Sequence, residues 1–149
     1  LMYNVKPSMK HSQLSNDGNQ RNVREYLAAV KQQAPSSAVG TTATNAATRA
    51  LFEKKWKQDP FLALTMYATL IDTFGWPAFA AVFEEYEALD ITAAPWSEEK
   101  KMDEFFLRFS RIVNRNVAAW VSREWAVPLT GNSLSPAAGF PPFAATANF

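Results

Sequence analysis

Cysteine is absent from this 149-residue chain, and histidine occurs once, at His11. Without thiols the chain cannot form disulfides, thiolate metal sites, iron–sulfur clusters or a cysteine nucleophile. A zinc-binding HExxH helix needs two histidines one turn apart, so the single histidine excludes that motif too. His11 stands in a polar segment, where it could be a base or one metal ligand. A histidine that simply faces solvent is the favoured interpretation.

An excess of either charge is also missing, since 15 lysines and arginines oppose 14 aspartates and glutamates. That balance gives no electrostatic basis for binding nucleic acid or an anionic membrane surface. Apolar runs are broken well before the roughly 18 residues that a membrane-spanning helix requires, so no transmembrane segment is expected. The first residues lack the basic and apolar regions of a signal peptide. Because the chain begins with leucine, we expect the C-terminal part of a longer protein or a processing product.

What the chain does contain is 48% hydrophobic and 13% aromatic residues, enough for one domain with a core. Apolar residues recur at helical spacing and not in strand alternation, which predicts an all-α fold, a small helical bundle. The first helix is predicted near 19–33. Residues 34–50 are small and polar, which favours a flexible connection or an insertion into a tighter loop, and some helix is expected to resume between Ala46 and Lys55.

Two further helical units follow in the sequence. Asp59 as a cap and Pro60 at the first helical position begin a helical hairpin predicted at 59–89, with Gly75 at the turn. One long helix near 97–123 comes next, because helical apolar spacing continues over that whole stretch. The predicted divisions are an N-terminal helical segment at 1–55, a helical subdomain at 56–129 and an irregular tail, rich in glycine, proline and alanine, at 130–149.

Apolar spacing also predicts which side of each helix is buried. On the second hairpin helix we expect Phe83 and Leu89 on the buried side and Glu85 in water. On the long helix we expect Phe105 and Phe109 to pack against the hairpin.

Arginines form the clearest candidate binding surface. Arg108, Arg111 and Arg115 follow i, i+3, i+7 spacing, which places them on one face of the long helix, opposite its phenylalanines. Such a face could bind an acidic partner, although a solvated basic face explains the same pattern. Asp59 could touch a substrate or act only as a helix cap. Trp56 is one of five tryptophans, most of them expected in the core and one or two at a cleft suited to sugar rings. No nucleophile or phosphate-binding motif is present, so no catalytic or metal-binding residue is assigned.

Several short motifs occur in a fixed order along the second half of the chain. They are DPF at 59–61, FGW at 74–76, VFEEY at 82–86, KMD at 101–103, RFS at 108–110, VNRNV at 113–117 and WAVP at 125–128. This series resembles the region downstream of the catalytic helix in enhancin-like zinc metallopeptidases, metallopeptidase family 60. The same block occurs in the related vertebrate channel-associated factors. The resemblance spans 56–129 and departs from the family at Ala119 and Ala126, where proline and glycine are usual.

The resemblance implies the C-terminal helical part of a zinc metalloendopeptidase that cleaves glycoproteins such as mucins. In that family an HExxH helix and a downstream glutamate hold the zinc, and the HExxH glutamate is the general base. Those elements precede the matched block, so we expect zinc in an upstream part of the parent protein and none in this chain, which would not be catalytic alone.

The partners that the resemblance implies are the upstream catalytic half and a glycoprotein or mucin substrate, outside the cell or at its surface. The alternative is a non-catalytic helical module of a metallopeptidase relative that binds a protein or a glycan. The residues encoded upstream of Leu1 would distinguish the two, because only the enzyme needs an intact HExxH.

Overall fold

The computed structural model describes residues 16–33, 46–90 and 95–145. These residues contain no β-strand, only an isolated bridge between Asn116 and Pro142, so the all-α prediction is confirmed. The elements are α1 (Asp17–Gln33), α2 (Ala46–Leu51), a π-helical turn (Phe52–Trp56), α3 (Pro60–Phe74), α4 (Trp76–Glu87), α5 (Glu98–Val113), α6 (Val117–Trp125) and α7 (Gly131–Ala137).

The N-terminal part of the described chain is helical on both sides of residues 34–45. Helix α1 begins two residues before its predicted start, and the Asn16 side chain accepts a hydrogen bond from the Gly18 N–H at 2.9 Å. Helix α2 continues directly into the π-helical turn, as expected for Ala46 to Lys55. The flexible connection predicted at 34–50 is therefore wrong for 46–50, while 34–45 lie outside the described residues.

The hairpin helices α3 and α4 are joined by Gly75 alone. Asp59 caps α3 by accepting a hydrogen bond from the Phe61 N–H at 3.0 Å, and Pro60 takes the first helical position as predicted. Gly75 has φ 82° and ψ 165°, a conformation open to glycine and strained for residues with a Cβ. Its N–H donates the last helical hydrogen bond of α3, to the Ile71 carbonyl at 2.7 Å, and its positive φ ends the helix.

The prediction of one long helix near 97–123 is wrong, because α5 and α6 are separate helices. Asn114 adopts the left-handed conformation at φ 53° and ψ 47°, which ends α5. The Asn116 side chain then accepts a hydrogen bond from the Ala119 N–H at 3.0 Å and caps α6. Asparagine tolerates both roles, while the apolar spacing continues across the break and conceals it.

The tail predicted as irregular contains helix α7, so that prediction is wrong for 131–137. The Thr130 side chain caps α7 by accepting a hydrogen bond from the Asn132 N–H at 3.2 Å. Beyond α7, the Phe143 ring lies 5.1 Å from the rings of both Phe74 and Trp120. The chain from Thr130 to Phe143 therefore closes one end of the bundle.

One hydrophobic core extends across all three predicted divisions of the chain, from Val23 in α1 to Phe143 after α7. Phe109 is fully buried, as expected, and Phe105 is partly buried against the same core. Phe83 and Leu89 are 53% and 36% exposed, so their predicted burial is wrong. Helix α4 buries only the stripe that faces α3 and α5, which is narrower than its apolar spacing indicates.

Candidate functional site

Two of the three candidate arginines lie against α4. Arg108 Nη1 is 2.8 Å from Glu85 Oε2, and Arg108 Nη2 is 3.0 Å from Glu104 Oε2. Arg111 Nη2 donates to both Glu85 carboxylate oxygens at 2.8 Å. The Arg108 side chain is only 18% exposed, so the prediction that Arg108 faces water is wrong, and Glu85, with 31% of its side chain exposed, faces water only in part. Each stands opposite the other across the α4–α5 contact. We name Glu85, Glu104, Arg108 and Arg111 the ionic cluster.

The charges of the ionic cluster hold one another in the ionised state. Partial burial pushes the pKa of Glu85 upward, but hydrogen bonds from Arg108 and Arg111 outweigh it and hold the pKa below its ordinary value. Burial likewise opposes the charge of Arg108, but the hydrogen bonds that Arg108 donates to Glu85 and Glu104 raise its pKa above the ordinary value. Because two carboxylates compensate two guanidinium groups, little free positive charge remains at this position. Binding of an acidic partner here stays a prediction.

Arg115 is separate from the other two arginines. It follows the end of α5 at Val113, so the three do not share one helix face as predicted. Its Nη1 donates to the neighbouring Asn114 carbonyl at 2.7 Å, and its side chain is exposed. Among the described residues no carboxylate forms a salt bridge with it, which leaves Arg115 as the arginine of the three most available to a partner.

Asp59 and Trp56 lie just before the start of α3. Asp59 lines a cleft of about 380 Å³ together with Glu25 and Lys55, and one of its carboxylate oxygens caps α3. The Trp56 ring stacks on Phe52 at a centroid distance of 4.7 Å, so one indole face is covered. Its buried Nε1 has no hydrogen-bond partner in the described part of the chain. Substrate contact by either residue stays a prediction.

Asp103 is a buried carboxylate that the sequence analysis did not single out. It is 5% exposed and accepts hydrogen bonds from the Thr130 N–H at 2.9 Å, the Thr130 hydroxyl at 2.5 Å and the Ser133 hydroxyl at 2.6 Å. These contacts fasten the start of α7 to α5. Its burial could have been predicted from its position three residues before Phe106, which places it on the apolar side of an amphipathic helix.

An open cleft with aromatic walls lies where α3, α4 and α5 meet. Its volume is about 580 Å³. We name it the aromatic cleft, and it is lined by Tyr67, Tyr86, Pro95, Trp96, Lys101, Met102, Phe105 and Phe106. The Tyr86 and Trp96 rings meet edge to face at 6.0 Å, and the Tyr67 and Phe105 rings do so at the same distance. No motif indicates this cleft, because its walls come from separate elements.

The chain matches the family described as peptidase M60, enhancin and enhancin-like, over residues 2–125. That match covers most of the chain. The chain belongs to the peptidase M60 family. The resemblance carried by the motifs is therefore confirmed, and the match also includes the N-terminal residues, which the motifs left out.

Two curated relatives resemble part of this M60 chain. A TRPM8 channel-associated factor homolog from Danio rerio is 34% identical over 73 residues, which are 49% of this chain and 8% of the relative. TRPM8 channel-associated factor 3 from Rattus norvegicus is 34% identical over 67 residues, which are 45% of this chain and 7% of the relative. The alignments thus span less than a tenth of the length of these relatives. No solved structure gives a significant match.

Several polar side chains of the M60 motifs make contacts between helices of this chain. Glu85 of the VFEEY run binds Arg108 of the RFS run, and the Arg108 guanidinium lies 5.6 Å from the centre of the Tyr86 ring. Ser110 of the RFS run accepts a hydrogen bond from the Ala118 N–H at 3.0 Å and joins α5 to α6. Asp103 of the KMD run holds α7, as described above. These residues are therefore engaged in holding helices together.

Zinc, which M60 membership implies for the catalytic part of the family, does not fit the residues described here. Across 16–33, 46–90 and 95–145 no three side chains of His, Cys, Asp or Glu are grouped closely enough to hold a metal ion. The buried carboxylate of Asp103 is already occupied by three hydrogen bonds, and His11 lies outside the described residues. No catalytic step through zinc is derived for these residues. In the same part of the chain, no helix has the length and apolarity needed to cross a membrane.

Proposed function

We propose that this M60 chain is the C-terminal helical subdomain of a zinc metalloendopeptidase that cleaves glycoproteins or mucins. In this role it forms one wall of the catalytic cleft and supports an upstream catalytic half that carries the HExxH motif and the zinc. The protein would act outside the cell or at its surface. This chain alone would not catalyse hydrolysis.

One observation carries the proposal: the motif side chains of the M60 resemblance join helices to one another. Arg108 links α5 to α4, Ser110 links α5 to α6, and Asp103 links α5 to α7. A residue whose polar atoms are satisfied inside the fold is well placed to stabilise a scaffold and poorly placed to react with a substrate. The pattern therefore supports a structural role within a larger M60 enzyme.

A second candidate function is a non-catalytic binding module in a relative of the peptidases. The exposed aromatic residues of α4 support it, because Trp76 and Phe83 are 42% and 53% exposed and lie seven residues apart, on one side of the helix. The matched relatives are named as channel-associated factors, which also supports a role in binding a protein.

The experiment compares this chain alone with the polypeptide encoded together with its upstream sequence. We expect no hydrolysis of mucin and no stoichiometric zinc, by elemental analysis, from the chain alone. The longer polypeptide should hydrolyse mucin and lose that activity when the HExxH glutamate is replaced by glutamine. Absence of an intact HExxH upstream would favour the binding module. Stoichiometric zinc in the chain alone, lost in His11→Ala, would contradict the proposal.

A further inference from the structure

We propose that the aromatic cleft binds a large apolar side chain of an acidic peptide. Trp96, Tyr86 and Met102 would contact the apolar side chain, and Lys100 would attract a carboxylate next to it. This inference concerns a site separate from any zinc chemistry, so it holds for either function proposed above.

The lining of the aromatic cleft favours an apolar side chain, and its size leaves ample room for one. Its volume of about 580 Å³ lies within the range of about 300–1,000 Å³ that is usual for ligand sites. Two tyrosines, a tryptophan, two phenylalanines and a methionine form most of its wall. Aromatic rings and a flexible thioether adapt to large apolar groups and gain free energy when water leaves.

The same lining disfavours a sugar as the occupant. A hexose ring carries several hydroxyl groups, and each of them needs a hydrogen-bond partner when it leaves water. Apart from Lys101 and the Trp96 indole N–H, the side chains that line the cleft offer only the hydroxyls of Tyr67 and Tyr86. Burial raises the pKa of Tyr67 to about 12, so its hydroxyl remains a donor at neutral pH. These four polar groups, of which Lys101 is already paired with Glu98, are enough for a peptide carbonyl and few for the hydroxyl groups of a sugar.

Charge at the margin of the aromatic cleft favours an acidic neighbour to that side chain. Lys100 Nζ lies 5.1 Å from the centre of the Trp96 ring. Next to Lys100 on α5, two carboxylates are engaged with other cations: Glu98 with Lys101 at 3.0 Å and Glu99 with Arg49 at 3.3 Å. Glu104 pairs with Arg108 at 3.0 Å. Among the described residues no carboxylate forms a salt bridge with Lys100, so its charge is available to a ligand.

The cations already placed on the rings argue against a cationic ligand. Lys100 lies over Trp96, and the Arg108 guanidinium lies over Tyr86 at 5.6 Å. A ligand cation would therefore find one face of each of these rings already occupied by a cation of the chain. An apolar side chain flanked by carboxylates does not compete with Lys100 or Arg108 for these rings.

The experiment titrates the whole chain with three capped tripeptides and one sugar. The probes are acetyl-Asp-Phe-Asp-amide, acetyl-Asp-Ala-Asp-amide, acetyl-Lys-Phe-Lys-amide and methyl N-acetylgalactosaminide. Binding is followed by NMR through the indole N–H of Trp96 and the methyl group of Met102. We expect the Asp-Phe-Asp peptide to bind with a dissociation constant on the order of 1 mM. The Ala and Lys peptides should bind at least about tenfold and about fivefold more weakly, respectively.

Matched variants separate a specific site from general stickiness. Trp96→Ala should abolish binding of the Asp-Phe-Asp peptide, whereas Trp76→Ala, at an exposed tryptophan outside the cleft, should leave it unchanged. Lys100→Ala should weaken binding by about threefold, and Lys54→Ala should have no effect. A thermal melt of each variant checks that it is folded. The proposal is overturned if no peptide shifts the Trp96 and Met102 signals, if only the sugar does, or if Trp76→Ala weakens binding as much as Trp96→Ala.

Discussion

Carboxylates make side-chain contacts on two sides of α5, and the two sides differ in how far water reaches the carboxylate. On the buried side Asp103 is 5% exposed and accepts three hydrogen bonds at the start of α7. On the exposed side Glu85, with 31% of its side chain accessible, holds Arg108 and Arg111. Exposed ion pairs contribute about 0–1 kcal/mol because water screens them. A buried polar group that loses its partner costs about 1–3 kcal/mol. In this M60 chain, burial decides how much a motif residue stabilises the fold.

The largest effect is expected from the apolar part of the buried side. Phe109 is fully buried, and its ring lies 4.9 Å from Phe79 and 5.7 Å from Phe74. Phe109→Ala should lower the free energy of unfolding by about 3–5 kcal/mol, since it removes these contacts and leaves a cavity. Phe83→Ala, at a ring that is 53% exposed, should change it by less than about 0.5 kcal/mol. Denaturant unfolding of both variants measures the difference, and similar losses would contradict the assigned orientation of the helices.

A smaller effect is expected from the best-buried member of the ionic cluster. Arg108→Met keeps an unbranched side chain at this position but removes the guanidinium that lies over Tyr86 and pairs with Glu85 and Glu104. We expect a loss of about 1 kcal/mol in the free energy of unfolding, because Glu85 keeps Arg111 and remains partly in water. Denaturant unfolding at neutral pH is the measurement. A loss above about 3 kcal/mol would mean that the cluster behaves like a fully buried ion pair.

The two exposed arginines, Arg111 and Arg115, should stabilise the fold less than the better-buried Arg108. Arg111 is 51% exposed, and Arg115 is exposed and donates a hydrogen bond to the backbone carbonyl of Asn114. Arg111→Ala and Arg115→Ala should each change the free energy of unfolding by less than about 0.5 kcal/mol. Thermal melts of the two variants beside Arg108→Met test this ranking. If Arg115→Ala destabilises the chain more than Arg108→Met, the exposed fraction of an arginine side chain does not determine how much it stabilises the fold.

The smallest effect is expected from pH. Since the pKa of Glu85 is lowered by folding, its contribution is present above the ordinary glutamate value of about 4.5 and is lost as the pH falls through the folded-state value. The free energy of unfolding of the unmodified chain should therefore exceed that of Glu85→Gln at pH 7. The gap should shrink when both are measured at pH 3. A gap that stays constant or grows on acidification would mean that the charge of Glu85 is not responsible.

Local signals in the sequence predicted much of the fold because they act within a few residues. Asp59 and Gly75 are examples, since a cap and a positive-φ turn depend on their immediate neighbours. The break at Asn114 was missed because asparagine is tolerated in helices and the apolar spacing continues beyond it. The α7 helix was missed for a similar reason, since its cap at Thr130 stands in a segment whose composition indicates irregular structure.

The candidate site was harder to predict because its residues meet only after folding. The spacing of Arg108 and Arg111 correctly placed both on one side of a helix, but their partner Glu85 lies on α4, 23 residues before Arg108. The aromatic cleft likewise combines Tyr67, Tyr86 and Trp96 from three separate positions. No local pattern encodes such contacts, because they depend on how the helices pack.

The most direct test of burial as the deciding factor is the free energy of unfolding of Asp103→Asn and Glu85→Gln, measured side by side at pH 7. Both substitutions replace a carboxylate by an amide of nearly the same shape. Asp103→Asn should cost about 2–3 kcal/mol, because the amide places a donor against the donors of Thr130 and Ser133. Glu85→Gln should cost less than about 1 kcal/mol. Equal losses, or a larger loss from Glu85→Gln, would contradict the claim that the buried motif carboxylate stabilises the M60 helical fold more than the exposed one.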